Sequence, residues 1–186
     1  RFRLPDKVVE QEIQLILDMG IEVETGAEID SEILQQFINS YDAVLIATGT
    51  MRSNNLEIEG LPNDVAIDGI SFMRQYNQNK VTGLKGDVIV IGGGFTAVDC
   101  ARSCARVARR MVGKEGKVSI MYRRTDRFMA ADMEEQEEIA NEQITIRTLV
   151  TPIAAKMQGD KLISVKFIRN MLASEQQGIT PSKIIP

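Results

Sequence analysis

The amino-terminal stretch alternates between helical and extended hydrophobic patterns. Apolar residues recur every three or four positions after Pro5, and a second such pattern starts at Asp30 or Ser31, both of which are good helix caps. Residues 21–24 alternate apolar and polar side chains, and residues 41–49 form an apolar run that stops at glycine, so both are typical of strands. The order helix, strand, helix, strand predicts the back half of a doubly wound α/β domain.

Residues 51–86 differ in composition, because they are rich in glycine, asparagine and proline. Such a composition indicates a connector, with one short helix at residues 71–76. We therefore expect a domain boundary between residues 1–50 and the unit that starts at residue 87.

The pattern of residues 87–170 predicts a complete βαβ unit. The β-branched run from Val88 to Ile91 suits a strand that is buried on both faces, and three glycines follow it. Further elements are expected in this order: a helix from Phe95 or Thr96 to about Met111, a turn at 113–116, a strand from Val118 to Tyr122, a helix at 131–141, a strand at 144–149, a break at Pro152 and a hairpin at Gly159 and Asp160. The predicted fold class is α/β: a three-layer Rossmann-like domain with a parallel sheet and a small β hairpin, followed by a polar tail at 171–186.

The glycine turn matches the pattern G-x-G-x-x-A, with Gly92, Gly94 and Ala97 at the fixed positions. In nucleotide-binding domains these glycines allow a tight turn and close approach of the backbone, and the following helix offers free N–H groups to a pyrophosphate. The pattern alone is common, but here it follows a predicted strand and opens a predicted helix. The turn is therefore predicted to bind a dinucleotide.

The end of the second predicted strand carries Arg123 and Arg124. An NAD site usually has an acidic residue there, whereas arginine forms charge-assisted hydrogen bonds with a 2′-phosphate. At roughly 1.5 to 3 kcal/mol for each such bond, the pair would favour NADPH over NADH by roughly 10² to 10⁴ in affinity. Arg127 is a candidate third contact. Two alternatives stay open: the arginines are ordinary exposed residues after a strand, or NADH is used despite them.

Charge and composition exclude several other kinds of site. The net charge of −4 argues against nucleic acid or an anionic membrane as a partner, and no apolar run has the length of a membrane span. Histidine is absent, which excludes Ser-His-Asp and Cys-His catalysis and the usual zinc sites. We therefore assign no catalytic and no metal-binding residue.

Cysteines and glutamates have plain structural interpretations. Cys100 and Cys104 lie on one face of a predicted helix, and we interpret them as small buried residues in a reducing compartment, the cytoplasm. The glutamates at 134, 135, 137 and 138 are interpreted as a solvated helix face.

Tyr76 and Lys80 have the Y-x-x-x-K spacing that places a proton donor in short-chain dehydrogenases. In those enzymes the pair follows the glycine turn, whereas here it precedes the turn, so we interpret the match as chance. No other proton donor for direct reduction of a substrate is evident, and a flavin is the natural acceptor of a hydride.

Three blocks of sequence, residues 41–49, 92–102 and 121–124, together resemble the small (beta) subunit of bacterial glutamate synthase. The resemblance implies a flavoprotein of the pyridine nucleotide–disulfide reductase type. In that type an NADPH domain is inserted within an FAD domain, and electrons pass from NADPH to FAD and on to iron–sulfur clusters. It also implies cofactor contacts for Gly92, Gly93, Gly94, Phe95 and Thr96 at the pyrophosphate, Arg123 and Arg124 at the 2′-phosphate, and Thr48 and Gly49 near the flavin.

The same resemblance implies how the chain is divided. Residues 1–50 would be a partial FAD-domain segment, 51–86 a connector, 87–170 the NADPH-binding domain and 171–186 a tail leading back to the FAD domain. Phe95 departs from the family, which commonly has asparagine there, and residues 128–131 replace an acid-Met-Pro-Ala run. These departures affect a polar contact near the pyrophosphate and the positioning of the nicotinamide side.

The predicted function is the NADPH-binding part of a flavin-dependent oxidoreductase that passes hydride from NADPH to FAD and electrons to an iron–sulfur partner. Because the FAD fingerprint is expected before Arg1 and further FAD-binding elements after Pro186, the chain alone is expected to be inactive. An alternative stays open, namely a module that binds NAD(P) for sensing or structure without turnover.

Overall fold

A computed structural model describes residues 3–50, 53, 56–84, 86–110, 116–131, 133–173 and 184–185. The chain forms two compact units, Arg1–Met51 and Arg52–Pro186. The first contains helices α1 (Asp6–Leu17) and α2 (Ser31–Ser40). The described elements of the second are, in chain order, α3 (Gly69–Asn77), β1 (Val88–Ile91), α4 (Phe95–Arg110), β2 (Val118–Tyr122), a 3-10 turn (Asp126–Phe128), α5 (Met133–Asn141), β3 (Thr145–Thr148), β4 (Val150–Gln158), β5 (Lys161–Arg169), β6 (Met171–Leu172) and β7 (Ile184–Ile185).

The two helices predicted in the first unit are confirmed. α2 begins where the Asp30 carboxylate accepts hydrogen bonds from the backbone N–H groups of Glu32 and Ile33, both at 2.9 Å. These bonds satisfy two of the donors that a helix start leaves without a partner.

The strands predicted at residues 21–24 and 41–49 are wrong. Neither stretch pairs with another strand, and a strand needs a neighbour to satisfy its backbone hydrogen bonds. Within the described part of the first unit no element covers the apolar run either, since the Leu45 side chain is 90% exposed.

Three parallel strands, in the order β1-β2-β3, form the largest sheet described in the second unit. The register places Ile91, the last residue of β1, beside Met121 of β2. Each strand connects to the next through a helix, first α4 and then α5, as parallel pairing requires. The predicted α/β fold class with a Rossmann-like sheet is therefore confirmed, whereas the predicted turn at 113–116 falls largely outside the described residues.

The core lies between the sheet and the two helices that connect its strands. Val98 of α4 and Ile139 of α5 are fully buried there, and they belong to one apolar cluster with the alternate residues Val118, Ile120 and Tyr122 of β2. The other face of the sheet is less covered, because Ile89 of β1, which the sequence predicts to be buried, is 39% exposed.

Ion pairs join α4 to the carboxyl end of α5. The Arg102 side chain is 9% exposed and pairs with Glu138 and Glu142, and Arg106 pairs with Glu142 at 2.9 Å. A guanidinium this deeply buried is stable only when such partners compensate for its lost hydration.

The predicted solvated face of α5 is confirmed only in part. Glu134 and Glu137 are exposed, but Glu135 is half-buried and Glu138 is one of the partners of Arg102. The sequence did not indicate this pairing, because Arg102 lies on another helix.

The predicted hairpin is confirmed and is longer than expected. β4 and β5 pair antiparallel from Val150 and Arg169 to Gln158 and Lys161. Pro152, predicted to break the chain, lies inside β4 instead. A register shift next to Pro152 accommodates its missing N–H group within the ladder.

The substitution Glu142→Ala is predicted to lower the free energy of unfolding by about 2 kcal/mol, because the buried Arg102 and the neighbouring Arg106 both lose a charged hydrogen-bond partner. Urea unfolding followed by circular dichroism measures this change. Glu137→Ala removes the same charge from an exposed position of α5 and is expected to stay within about 0.5 kcal/mol of the wild type. Equal losses in the two variants would contradict the prediction.

Candidate functional site

The glycine turn joins β1 to α4, and its first glycine is required by the backbone itself. Gly92 has φ +141°, a conformation that residues with a side chain rarely adopt. Its N–H donates to the Met121 carbonyl at 3.0 Å, which holds the turn against the end of β2. A Cβ at Gly92 would lie 3.2 Å from the Ala97 Cβ, so the small residue in the last motif position has a packing reason.

The second glycine, Gly93, lies against the ring of Tyr122. A Cβ there would be 2.5 Å from the nearest ring carbons, closer than real Cβ contacts. The ring is held in place, since the Tyr122 hydroxyl donates to the Phe128 carbonyl at 2.6 Å. The Ala130 N–H in turn donates to the Gly93 carbonyl at 3.0 Å. Tyr122 and the segment after β2 therefore hold Gly93 in place through one ring contact and one hydrogen bond.

The third glycine, Gly94, has open space where a side chain would stand, because no atom lies within 4 Å of a Cβ built there. Its carbonyl accepts hydrogen bonds from the N–H groups of Ala97 and Val98, which starts α4. In the part of the chain that the structure describes, the N–H groups of Phe95 and Thr96 have no protein acceptor. The exposed start of α4 can thus offer these donors, and the positive end of its dipole, to an anion.

The two predicted arginines follow β2 and lie at the same carboxyl edge of the sheet as the glycine turn. Arg123 is exposed and Arg124 is half-buried. Among the described residues, Arg124 Nε and Thr125 Oγ1 are buried polar atoms without a hydrogen-bond partner. Buried donors of this kind are costly unless a ligand or water completes them, so the arrangement is suited to an anion.

Three residues that adjoin the candidate site were not predicted: Tyr122, Thr125 and Asn170. Asn170 is 4% exposed and its amide donates to the Arg123 carbonyl at 3.0 Å. Thr125 directly follows the arginine pair, which is the one signal that the sequence carried for it. Tyr122 and Asn170 act through contacts with distant parts of the chain, and no local pattern indicates such contacts.

The remaining predicted residues lie elsewhere. Arg127 is exposed in the 3-10 turn. Thr48 and Gly49 belong to the first unit, where Thr48 is exposed and Gly49 has φ +69°. An open cavity of about 410 Å³ lies at the end of β3, and the predicted cofactor residues do not line it: Arg147, Thr148, Val150, Phe167, Ile168 and Arg169 do.

The cysteines are free, buried thiols, as predicted. Burial raises the pKa of Cys100 to about 12, with smaller contributions from Cys104, Asp99 and Asp68, and burial raises the pKa of Cys104 to about 11. Both therefore stay protonated at neutral pH and are poor nucleophiles.

The described residues contain no metal-ion cluster and no membrane-spanning helix. No group of three histidine, cysteine, aspartate or glutamate side chains is placed to hold a metal ion in that part of the chain. None of the helices described there combines the length and the apolar character needed to cross a membrane.

Comparison with known proteins gives a consistent family relationship. A profile described as pyridine nucleotide-disulphide oxidoreductase matches residues 5–178. The putative oxidoreductase YgfK of Escherichia coli K12 is 34% identical over 152 residues, which cover 82% of this chain and 14% of that protein. The small chain of NADPH glutamate synthase from the same strain is 25% identical over 181 residues, 90% of this chain and 37% of that protein. The predicted resemblance to the glutamate synthase small subunit is therefore confirmed.

The fold has a counterpart among solved structures. Mycobacterium tuberculosis FprA in complex with NADPH superposes with a TM-score of 0.64 at 20% identity, covering 93% of this chain and 54% of that chain. This likeness supports the fold. Both curated relatives are more than twice as long as the part that this chain matches.

The glycines are predicted to differ in their tolerance of alanine. Gly93→Ala should lower the free energy of unfolding by about 1 to 3 kcal/mol, because the Tyr122 ring cannot move away without losing its hydrogen bond. Gly94→Ala meets no atom and has no positive φ to relieve, so its effect should stay within about 1 kcal/mol and be stabilising if anything. Urea unfolding of both variants measures the difference, and a larger loss for Gly94→Ala would refute this assignment.

Proposed function

Because this chain belongs to the pyridine nucleotide-disulphide oxidoreductase family, we propose that residues 92–96 bind the pyrophosphate of NADPH and that Arg123 and Arg124 bind its 2′-phosphate. The chain would then be the NADPH-binding part of a flavin-dependent oxidoreductase. One observation carries the proposal: the free N–H groups at the start of α4 and the two arginines lie at the carboxyl ends of neighbouring parallel strands.

The chemistry of the ligand matches this arrangement. NADPH carries a pyrophosphate and, on the adenosine ribose, a separate phosphate, whereas NADH has only the pyrophosphate. Backbone donors at a helix start suit the pyrophosphate, and guanidinium groups suit the additional phosphate. A site that contains both kinds of donor is therefore better matched to NADPH.

Two observations test whether the residues fit this cofactor. The open side of Gly94 leaves room for a phosphate to approach the backbone, which a side chain would block. The buried Arg124 Nε and Thr125 Oγ1 lack a partner within the described residues, and the oxygens of a 2′-phosphate would satisfy them once these two side chains turn toward the ligand. We add Thr125 to the proposed 2′-phosphate site for this reason.

The chain's own residues would bind, orient and shield the cofactor, without acting as acid or base. When bound, NADPH supplies a hydride from its nicotinamide, and FAD is the acceptor that we propose. Thr48 and Gly49 are proposed to lie near that flavin in the complete protein. Holding two reactants in the right geometry can lower a reaction barrier by roughly 7 to 11 kcal/mol.

We extend the proposal to the activity of the whole protein. This chain spans 14% and 37% of the two curated relatives, so the electron acceptor of the whole protein is itself a matter of proposal. We propose an iron–sulfur partner in the cytoplasm, by analogy with glutamate synthase, whose small chain is a relative. The two buried free thiols agree with a reducing compartment.

Titration with NADPH and NADH tests the arginine pair. The variant with Arg123→Ala and Arg124→Ala should lose roughly 10² to 10⁴ in affinity for NADPH, and its affinity for NADH should change by less than about threefold. Arg109→Ala is the matched control, since Arg109 is exposed near the far end of α4, roughly 20 Å along that helix from the glycine turn. Equal binding of the two nucleotides by the wild type would contradict the proposal.

Gly94→Val tests the pyrophosphate site separately. The side chain would occupy the open space beside the helix start, so affinity should fall by about tenfold or more for NADPH and NADH alike, because both carry a pyrophosphate. Isothermal titration calorimetry measures both affinities. A loss confined to NADPH would show that residue 94 contacts a different part of the cofactor.

A further inference from the structure

We propose that Asn170 is a positioning residue that sets nucleotide selectivity, because it holds the backbone of Arg123 and Arg124 in the shape that receives a 2′-phosphate. This inference rests on the proposed function. Asn170 follows β5, far from the arginine pair in sequence, and it touches the pair through the backbone.

The buried amide of Asn170 bonds to the backbone of the arginine segment, which is Arg123 and Arg124. The residue is 4% exposed, and Nδ2 donates to the Arg123 carbonyl at 3.0 Å. The rest of the amide bonds with the Thr151 hydroxyl, at 2.8 and 3.2 Å. A buried amide is stable only when its donors and acceptors are satisfied, so these contacts fix the orientation of the side chain.

A second connection leads from Asn170 to the next carbonyl of the same segment. The Asn170 N–H donates to the Leu149 carbonyl at 2.7 Å, and the Leu149 N–H donates to the Arg124 carbonyl at 3.0 Å. Leu149 has φ +56°, which is unfavourable for leucine and persists only where surrounding contacts impose it. Asn170 therefore fixes both arginine carbonyls, one directly and one through Leu149.

Holding the segment by its carbonyls leaves its side-chain donors available for a ligand. Within the described residues, Arg124 Nε and Thr125 Oγ1 are buried and make no hydrogen bond. If the backbone were loose, ordering it would have to accompany binding of the 2′-phosphate and would weaken that binding. NADH lacks the phosphate that the arginine segment is proposed to bind, and the glycine turn proposed to bind its pyrophosphate is held by separate contacts. Loss of the Asn170 contact should therefore appear in the ratio of the two affinities.

The experiment measures the ratio of NADH to NADPH dissociation constants for the wild type, Asn170→Ala and Asn170→Asp by isothermal titration calorimetry. Asn170→Asp keeps the shape but loses both side-chain donors, and both variants keep the backbone N–H to Leu149. The ratio is expected to fall about tenfold in each variant, the loss that corresponds to ordering one further residue on binding. Glu142→Ala is the matched control: it lowers stability by removing the ion pairs of Arg102 and Arg106 and leaves every contact of Asn170 in place, so the ratio should stay within about threefold of the wild type.

A ligand-free measurement keeps the test independent of nucleotide. In Asn170→Asp, the Leu149 amide should exchange its hydrogen with solvent at least tenfold faster than in the wild type, whereas the Gly92 amide, bonded to Met121, should not change. This amide pair separates local release of the arginine segment from general loss of stability, even if Asn170→Ala does not fold.

The outcomes are distinguishable. If the wild type prefers NADPH and both Asn170 variants keep that preference, the inference is wrong and the proposed function stands. If the wild type shows no preference, the proposed function fails before any variant is needed. In the background of Arg123→Ala with Arg124→Ala, Asn170→Asp should have no further effect on the ratio. An additional loss there would also refute the inference.

Discussion

The contact between Gly93 and the Tyr122 ring is the constraint on which the candidate site depends. The backbone of the turn can reach this position only because residue 93 has no side chain, and the ring cannot withdraw because its hydroxyl is bonded to the Phe128 carbonyl at 2.6 Å. The Ala130 N–H also donates to the Gly93 carbonyl, so a second contact joins the segment after β2 to the glycine turn. These contacts hold the glycine turn, and with it the start of α4, at the sheet edge where the arginine pair follows β2.

Most of the hydrogen bonds that hold the candidate site in place use backbone carbonyl oxygens, which an anionic ligand would not contact. Carbonyl oxygens anchor Gly93, Arg123 and Arg124, whereas the N–H groups of the helix start remain available in the described structure. The backbone of such a site needs little rearrangement on binding, so less of the interaction energy is lost in ordering it. Because the anchoring groups are acceptors and the groups left available are donors, the proposed site would favour an anion.

Local signals in the sequence predicted the second unit well. Strand propensity and turn chemistry act over a few residues, so the sequence predicts the strand Val88–Ile91 and the glycine turn after it. The predicted strand at 41–49 failed for the opposite reason, since its pairing depends on a neighbour that residues 3–50 do not provide. Tyr122, Arg102 and Asn170 could not be assigned in advance, because each acts on a residue far away in the chain. Pro152 shows that a register shift can absorb a residue that usually ends a strand.

The start of α4 can bind an anion only if the helix is held firmly in place. The helix dipole stabilises a bound anion only if the helix start stays near the other groups that contact the anion. A helix held by its first turn alone would fray. Here Val98 is fully buried against the sheet, and the Arg102 ion pairs with Glu138 and Glu142 fix the middle of the helix to α5. Because these anchors lie outside the proposed cofactor contacts, they can be selected for stability without changing what the site binds. In the proposed site, the glycine turn would then set affinity and the arginine segment would set selectivity.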